Sequence, residues 1–141
     1  MPIVNLKLFG REGTTYLTLE LDDSPMAAAV IDALETTSRE TLQARLSGAC
    51  FCTRLGDDFT APEGMEGDEK RAELKKGEVA YNTKFHELVV VYGDWALFYD
   101  HEVRYPSECW ILGKVMESNL DELVEVGNSI WRRGERKARI I

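Results

Sequence analysis

Cysteine is scarce in this chain, with three in 141 residues: Cys50, Cys52 and Cys109. An odd and small number cannot form a disulfide scaffold, and it fits a reducing compartment. Histidine is scarcer, with His86 and His101 alone, and Gln43 is the single glutamine. Cys50-x-Cys52 has the spacing of half a tetrahedral metal site, but the second ligand pair that such sites use is missing. Alternation along a strand puts both thiols on one face, which reads as core packing, so no metal and no cofactor are expected. No apolar run approaches the roughly 20 residues of a membrane helix. The start, Met-Pro-Ile-Val-Asn-Leu, lacks the basic residues and long apolar stretch of a signal peptide, so a cytoplasmic protein without membrane contact is expected. Basic residues are outnumbered 17 to 25, for a net charge of −8. An acidic chain repels nucleic acid phosphates, so no nucleic acid partner is expected. There is no Gly-x-Ser-x-Gly elbow, no P-loop and no dinucleotide glycine fingerprint, which leaves hydrolase and nucleotide roles without support. Nothing repeats, which excludes solenoids and propellers.

What remains is ordinary globular material, 44% hydrophobic and 30% charged. A chain of this length can bury a core, and one domain over residues 1–141 is the natural reading. Residues 3–9 alternate, with Val4, Leu6 and Leu8 opposite Ile3, Asn5, Lys7 and Phe9. Residues 15–21 do the same with Leu17, Leu19 and Leu21, and period two is the strand signature. Gly10-Arg11-Glu12-Gly13 joins the two strands as a hairpin loop. Asp22-Asp23-Ser24-Pro25 is a helix start, since Ser24 can accept from an early N–H and Pro25 has none to leave unpaired. Met26, Ala29, Val30, Ala33 and Leu34 follow with helical spacing. A second helical turn is expected within 38–46.

Residues 49–54 suit a short strand, and 55–70, rich in glycine and acids, suit a long exposed loop. Residues 78–81, 87–92, 95–99 and 107–115 are further strand candidates. Asn119 to Gly127 reads as a short helix with an asparagine cap, acids in the first turn and a glycine stop. Many short strands around one core favour a barrel over a doubly wound sheet. Residues 132–139 carry five basic side chains and one acid, a net of +4 that leaves −12 for the rest of the chain. The cluster fits a solvated hairpin, and it also fits an anion-binding or self-association patch.

Ile111-Leu112-Gly113-Lys114-Val115, Leu120 through Val126, and Lys137 through Ile141 resemble the closing segment of the cyclophilin fold. The order of the first half is similar too: two strands, a helix opened by Ser24-Pro25-Met26, then a strand. Lys-Gly-Glu-Val-Ala-Tyr and Glu-Leu-Val-Val-Val-Tyr-Gly, within 76–93, look like segments of small bacterial cyclophilin-like proteins of unknown function. The resemblance implies a mainly β fold. It would be a closed antiparallel cyclophilin-like β-barrel of about eight strands with one capping helix and a short C-terminal helix.

The resemblance does not carry over prolyl isomerase chemistry. Cyclophilins place an arginine two residues after a phenylalanine. Here Arg54 comes three after Phe51, and one position along a strand turns a side chain to the other face. The family's Gln-Gly-Gly-Asp run is absent, and Cys109 and Arg104 stand where it has histidine and tryptophan.

His86 and His101 each lie beside an acid that could orient an imidazole, although neighbours on a strand face opposite sides. Trp95, Phe98, Tyr99, Tyr105 and Trp110 form an aromatic group that serves as core or lines a pocket, with Arg54 or Arg104 as a carboxylate anchor. The expected function is binding of a small anionic or peptide-like ligand in a cleft, with candidate ligand residues Arg54, Tyr81, Arg104 and Trp110. The alternatives are a prolyl isomerase with an altered site, and a homo-oligomer held by its basic end and acidic remainder.

Overall fold

A computed structural model describes residues 2–11, 13–43, 49–55, 59, 69–94, 103–133 and 136–141. Strands β1 (Ile3–Gly10) and β2 (Gly13–Leu21) form the expected hairpin, with Gly10 opposite Gly13. Helix α1 (Pro25–Thr36) follows, and the Ser24 hydroxyl accepts from the Ala27 N–H at 3.1 Å. Then come β3 (Arg39–Gln43), β4 (Cys50–Arg54), β5 (Lys70–Glu73), β6 (Glu78–Asn82), β7 (Glu87–Val91) and β8 (Arg104–Val115). A 3₁₀ turn (Glu117–Asn119) leads into α2 (Leu120–Arg133), and β9 (Arg136–Ile140) ends the chain.

Every pairing is antiparallel. The order β2-β1-β9-β3-β4-β7-β6-β8 closes on itself through β2–β8, so eight strands form a ring, and β5 hangs on β8. At about 3.3 Å per residue, the 12-residue β8 is long enough to serve two partners along one edge. Residues 113–115 pair with β2, while Trp110, Cys109 and Arg104 pair with β5. The seam is tight. A Cβ on Gly113 would lie 2.0 Å from the Glu20 carbonyl oxygen, so only glycine lets β2 approach β8 there.

The interior cluster takes Leu6 and Leu8 from β1, Leu17 and Leu19 from β2, and Phe51, Tyr81, Leu88 and Val90 from the opposite wall. Both helices pack on this cluster, α1 through Met26, Val30 and Leu34, α2 through Leu123, Val126 and Ile130. A second buried layer lies outside the ring, where Cys50, Cys52, Ala80, Val89, Val91 and Cys109 are covered by Leu74, Val103 and Tyr105. Among the described residues no helix is long and apolar enough to cross a membrane.

Several expectations are corrected. The helical turn expected within 38–46 is strand β3, held between β9 and β4. The long loop assigned to 55–70 ends sooner, because Lys70 opens β5; Leu55 is buried and Phe59 packs on the interior. Residues 56–58 and 60–68 lie outside the described residues, as do the strand expected over 95–99 and His101. Asn119 does not cap a helix; its side-chain oxygen accepts from the Thr18 N–H at 2.8 Å and ties the 3₁₀ turn to β2.

The C-terminal helix is not short, since α2 at 14 residues exceeds α1 at 12. Gly127 does not stop it. A Cβ there would lie 2.2 Å from Cγ of Tyr92, so the glycine is where the helix lies against an aromatic ring. The basic stretch therefore divides between the end of α2, with Arg132, and β9, with Arg136, Lys137 and Arg139.

Candidate functional site

A cleft of about 440 Å³ opens where the β1–β2 turn, α2 and the start of β9 meet. Gly13, Thr14 and Thr15 supply one wall, Glu125, Val126, Ser129 and Arg132 of α2 another, and Arg136 of β9 the third. Glu125, Ser129 and Arg132 follow i, i+4, i+7 spacing, which stacks them along one face of the helix. Alternation along β9 turns Arg136, Ala138 and Ile140 inward and Lys137 and Arg139 outward.

Arg136 is thereby 8% exposed. Its guanidinium donates to Ser129 Oγ at 3.0 Å and to Thr15 Oγ1 at 3.4 Å, and its Nε–H is buried without a partner. The Thr41 hydroxyl donates to its main-chain carbonyl at 2.7 Å and fixes the strand. Among the described residues no carboxylate pairs with Arg136 or Arg132. A buried cation held only by neutral hydroxyls is poorly compensated, since burying a charge costs heavily unless it is paired.

The four residues expected to bind ligand are not brought together. Tyr81 and Trp110 face each other across β6 and β8. Tyr81 is buried, with Phe59 edge-on at 5.3 Å between ring centroids, and its hydroxyl lies 3.5 Å from Nδ1 of His86. Burial pushes the Tyr81 phenol up to about 12. Trp110 packs against the interior, with the Lys70 ammonium 5.0 Å from its ring centroid.

The arginines lie elsewhere. Arg54 pairs with Glu87 across β4 and β7 and shares the outer face with Cys50 and Cys52, while Thr53 takes the interior position beside Phe51. Arg104 sits at the far end of β8 and is exposed, with an ion pair to Glu73 at 2.8 Å. His86, in the β6–β7 turn, adopts φ 53°, a left-handed backbone uncommon outside glycine.

All three thiols are buried. Burial raises Cys50 well above its ordinary value, the Cys109 and Cys52 thiols adding to this, and raises Cys109 to about 11. Around them Asn82 donates to Ser107 Oγ at 2.7 Å and to Cys109 Sγ at 3.4 Å, and the Tyr105 hydroxyl donates to Glu87. Burial, reinforced by that carboxylate, raises the Tyr105 phenol. Among the described residues no group of acids, histidines and cysteines could hold a metal ion.

From sequence, Arg136 falls in a basic cluster that fits a solvated hairpin or an anion-binding or self-association patch, and it is not among the four candidate ligand residues. The signal was present, because Arg136-Lys137-Ala138-Arg139-Ile140 alternates, and the face that buries Ala138 and Ile140 also takes Arg136.

No protein-family model matches the chain, and no curated protein matches it. A solved structure of McbB in complex with tryptophan is similar in fold, with a TM-score of 0.69 and 18% sequence identity. The likeness covers 96% of this chain and 44% of McbB, so this chain spans less than half of that protein's length.

Proposed function

We propose that this chain is a cyclophilin-like barrel that binds a small anionic ligand in the Arg136 cleft and lacks prolyl isomerase activity. The buried guanidinium, with no carboxylate partner among the described residues, carries the reading. An anion bound there would receive charge-assisted hydrogen bonds from Arg136 and Arg132 and further bonds from Thr14, Thr15 and Ser129. The volume suits a small organic molecule. Tryptophan, the ligand of McbB, itself carries a carboxylate, the kind of group such a cleft would hold. Against isomerisation, Thr53 stands on the interior face two residues after Phe51, where the resemblance would require arginine.

The test is calorimetric titration of phosphate and of glutarate into the native chain and into Arg136→Met. Native binding with at least a tenfold loss in the variant is expected, because the variant removes a charged hydrogen-bond donor. Its ligand-free melting temperature should equal or exceed that of the native chain, since an apolar isostere relieves a poorly paired buried charge. Absence of binding to the native chain, or equal affinity in a folded variant, overturns the proposal. A proline-peptide isomerisation assay should give no rate above background.

A further inference from the structure

The charges that line the cleft discriminate among anions. Among the described residues its ionisable side chains are Arg136, Arg132 and Glu125. Glu125 and Arg132 stand seven residues apart on one face of α2, a rise of about 10 Å, with Ser129 and its bond to Arg136 between them. Glu125 thus lies one turn before Ser129 on the helix and Arg132 about one turn after it. Among the described residues Glu125 forms no ion pair with either arginine, so all three charges remain available.

A simple dianion would meet both guanidinium groups and be repelled by the carboxylate. A ligand with two anionic groups and one cationic group would match all three. We infer that the cleft selects an acidic amino acid, a small dicarboxylate that also bears an ammonium group. Arg136, backed by Thr15 and Ser129, holds one carboxylate. Arg132 holds the second at the rim, and Glu125 accepts from the ammonium while disfavouring dianions that lack it. The inference rests on the reading of the cleft as an anion site and adds the class of anion.

Titration of glutamate and glutarate into the full chain tests it. The two molecules share both carboxylates and differ in the ammonium. Glu125 is exposed, so a contact from it is worth the modest amount of an exposed pair, and glutamate should bind about fivefold tighter than glutarate. In Glu125→Gln, which leaves the folded core untouched, the two affinities should converge, with glutarate binding tighter than in the native chain. Equal or tighter native binding of glutarate overturns the inference and leaves the anion site standing. A preference for glutamate that survives in Glu125→Gln also overturns it, because the ammonium is then recognised elsewhere. Failure of both molecules to bind the native chain overturns the anion site with it.

Discussion

Strands β1, β2 and β9 bury one face each, while β4, β6 and β7 bury both. On the first side Leu6, Leu8, Leu17, Leu19, Ala138 and Ile140 point inward, and Ile3, Tyr16, Lys137 and Arg139 meet solvent. On the second, Phe51, Tyr81, Leu88 and Val90 fill the interior, and Cys50, Cys52, Ala80, Val89 and Val91 lie under an outer cover. A strand with one wet face needs only alternation, whereas a strand covered twice needs continuous apolar residues and tolerates little change. The candidate cleft opens on the lightly covered side, where strand ends and a helix leave polar side chains a wall to share.

The sharpest attack on the closed ring is at its seam, where the two sides join through β2 and β8. Gly113→Ala places a methyl 2.0 Å from a main-chain oxygen that cannot rotate away. Urea unfolding should show a loss of about 3 kcal/mol or more. A loss below about 1 kcal/mol would mean that the strands part there at little cost and the ring is not tightly closed.

Gly127→Ala comes next and separates two readings of one residue. In an exposed helix interior, alanine is favoured over glycine by about 1 kcal/mol. Packed on Tyr92, with the new Cβ 2.2 Å from the ring, alanine should instead destabilise by about 2 kcal/mol. The sign of the change decides, and Gly127→Ala combined with Tyr92→Leu should recover part of the loss if the ring is the cause.

The two sides can then be compared directly. Val89 belongs to the outer layer, and Val89→Ala should cost about 2 kcal/mol through lost burial and the space left behind. Lys137→Ala, on the exposed face of β9, should change stability by less than about 0.5 kcal/mol. Equal effects would erase the distinction between a covered and a bare outer face.

The same distinction explains what could be read from sequence. β1 and β2 were legible because one wet face imprints period two. β7 was legible as a strand, but Glu-Leu-Val-Val-Val does not say what covers its second face. β3 misled, because Arg-Glu-Thr-Leu-Gln has no apolar alternation and contains good helix formers; pairing to β9 and β4 overrides that preference. Gly127 misled because its reason, Tyr92, is distant in sequence. The cleft was hidden for a related cause: charge alone marks Arg136 as surface, and only the inward register of β9 buries it. Arg54 and Tyr81 were placed on strands correctly, yet a pairing register was needed to show that they face opposite sides.

The last effect is invisible at neutral pH and concerns the three thiols, all in the outer buried layer. Burial raises Cys109 from 9.0 to about 11, only partly offset by the Asn82 hydrogen bond, and raises Cys50 further. A thiol that holds its proton more tightly when folded leaves stability unchanged below the unfolded value. Above it, the unfolded chain alone releases the proton, so stability falls as pH rises. Unfolding free energy should therefore be flat through neutrality and decline from about pH 9 towards 11, with a shallower decline in Cys109→Ala. Because the thiolate is the reactive form, iodoacetamide at about pH 8 should modify the native thiols far more slowly than those of the denatured chain. Native labelling at the denatured rate would mean that the cover formed by Leu74, Val103 and Tyr105 opens readily. The second buried face would then contribute little to holding β4, β6 and β7 in place.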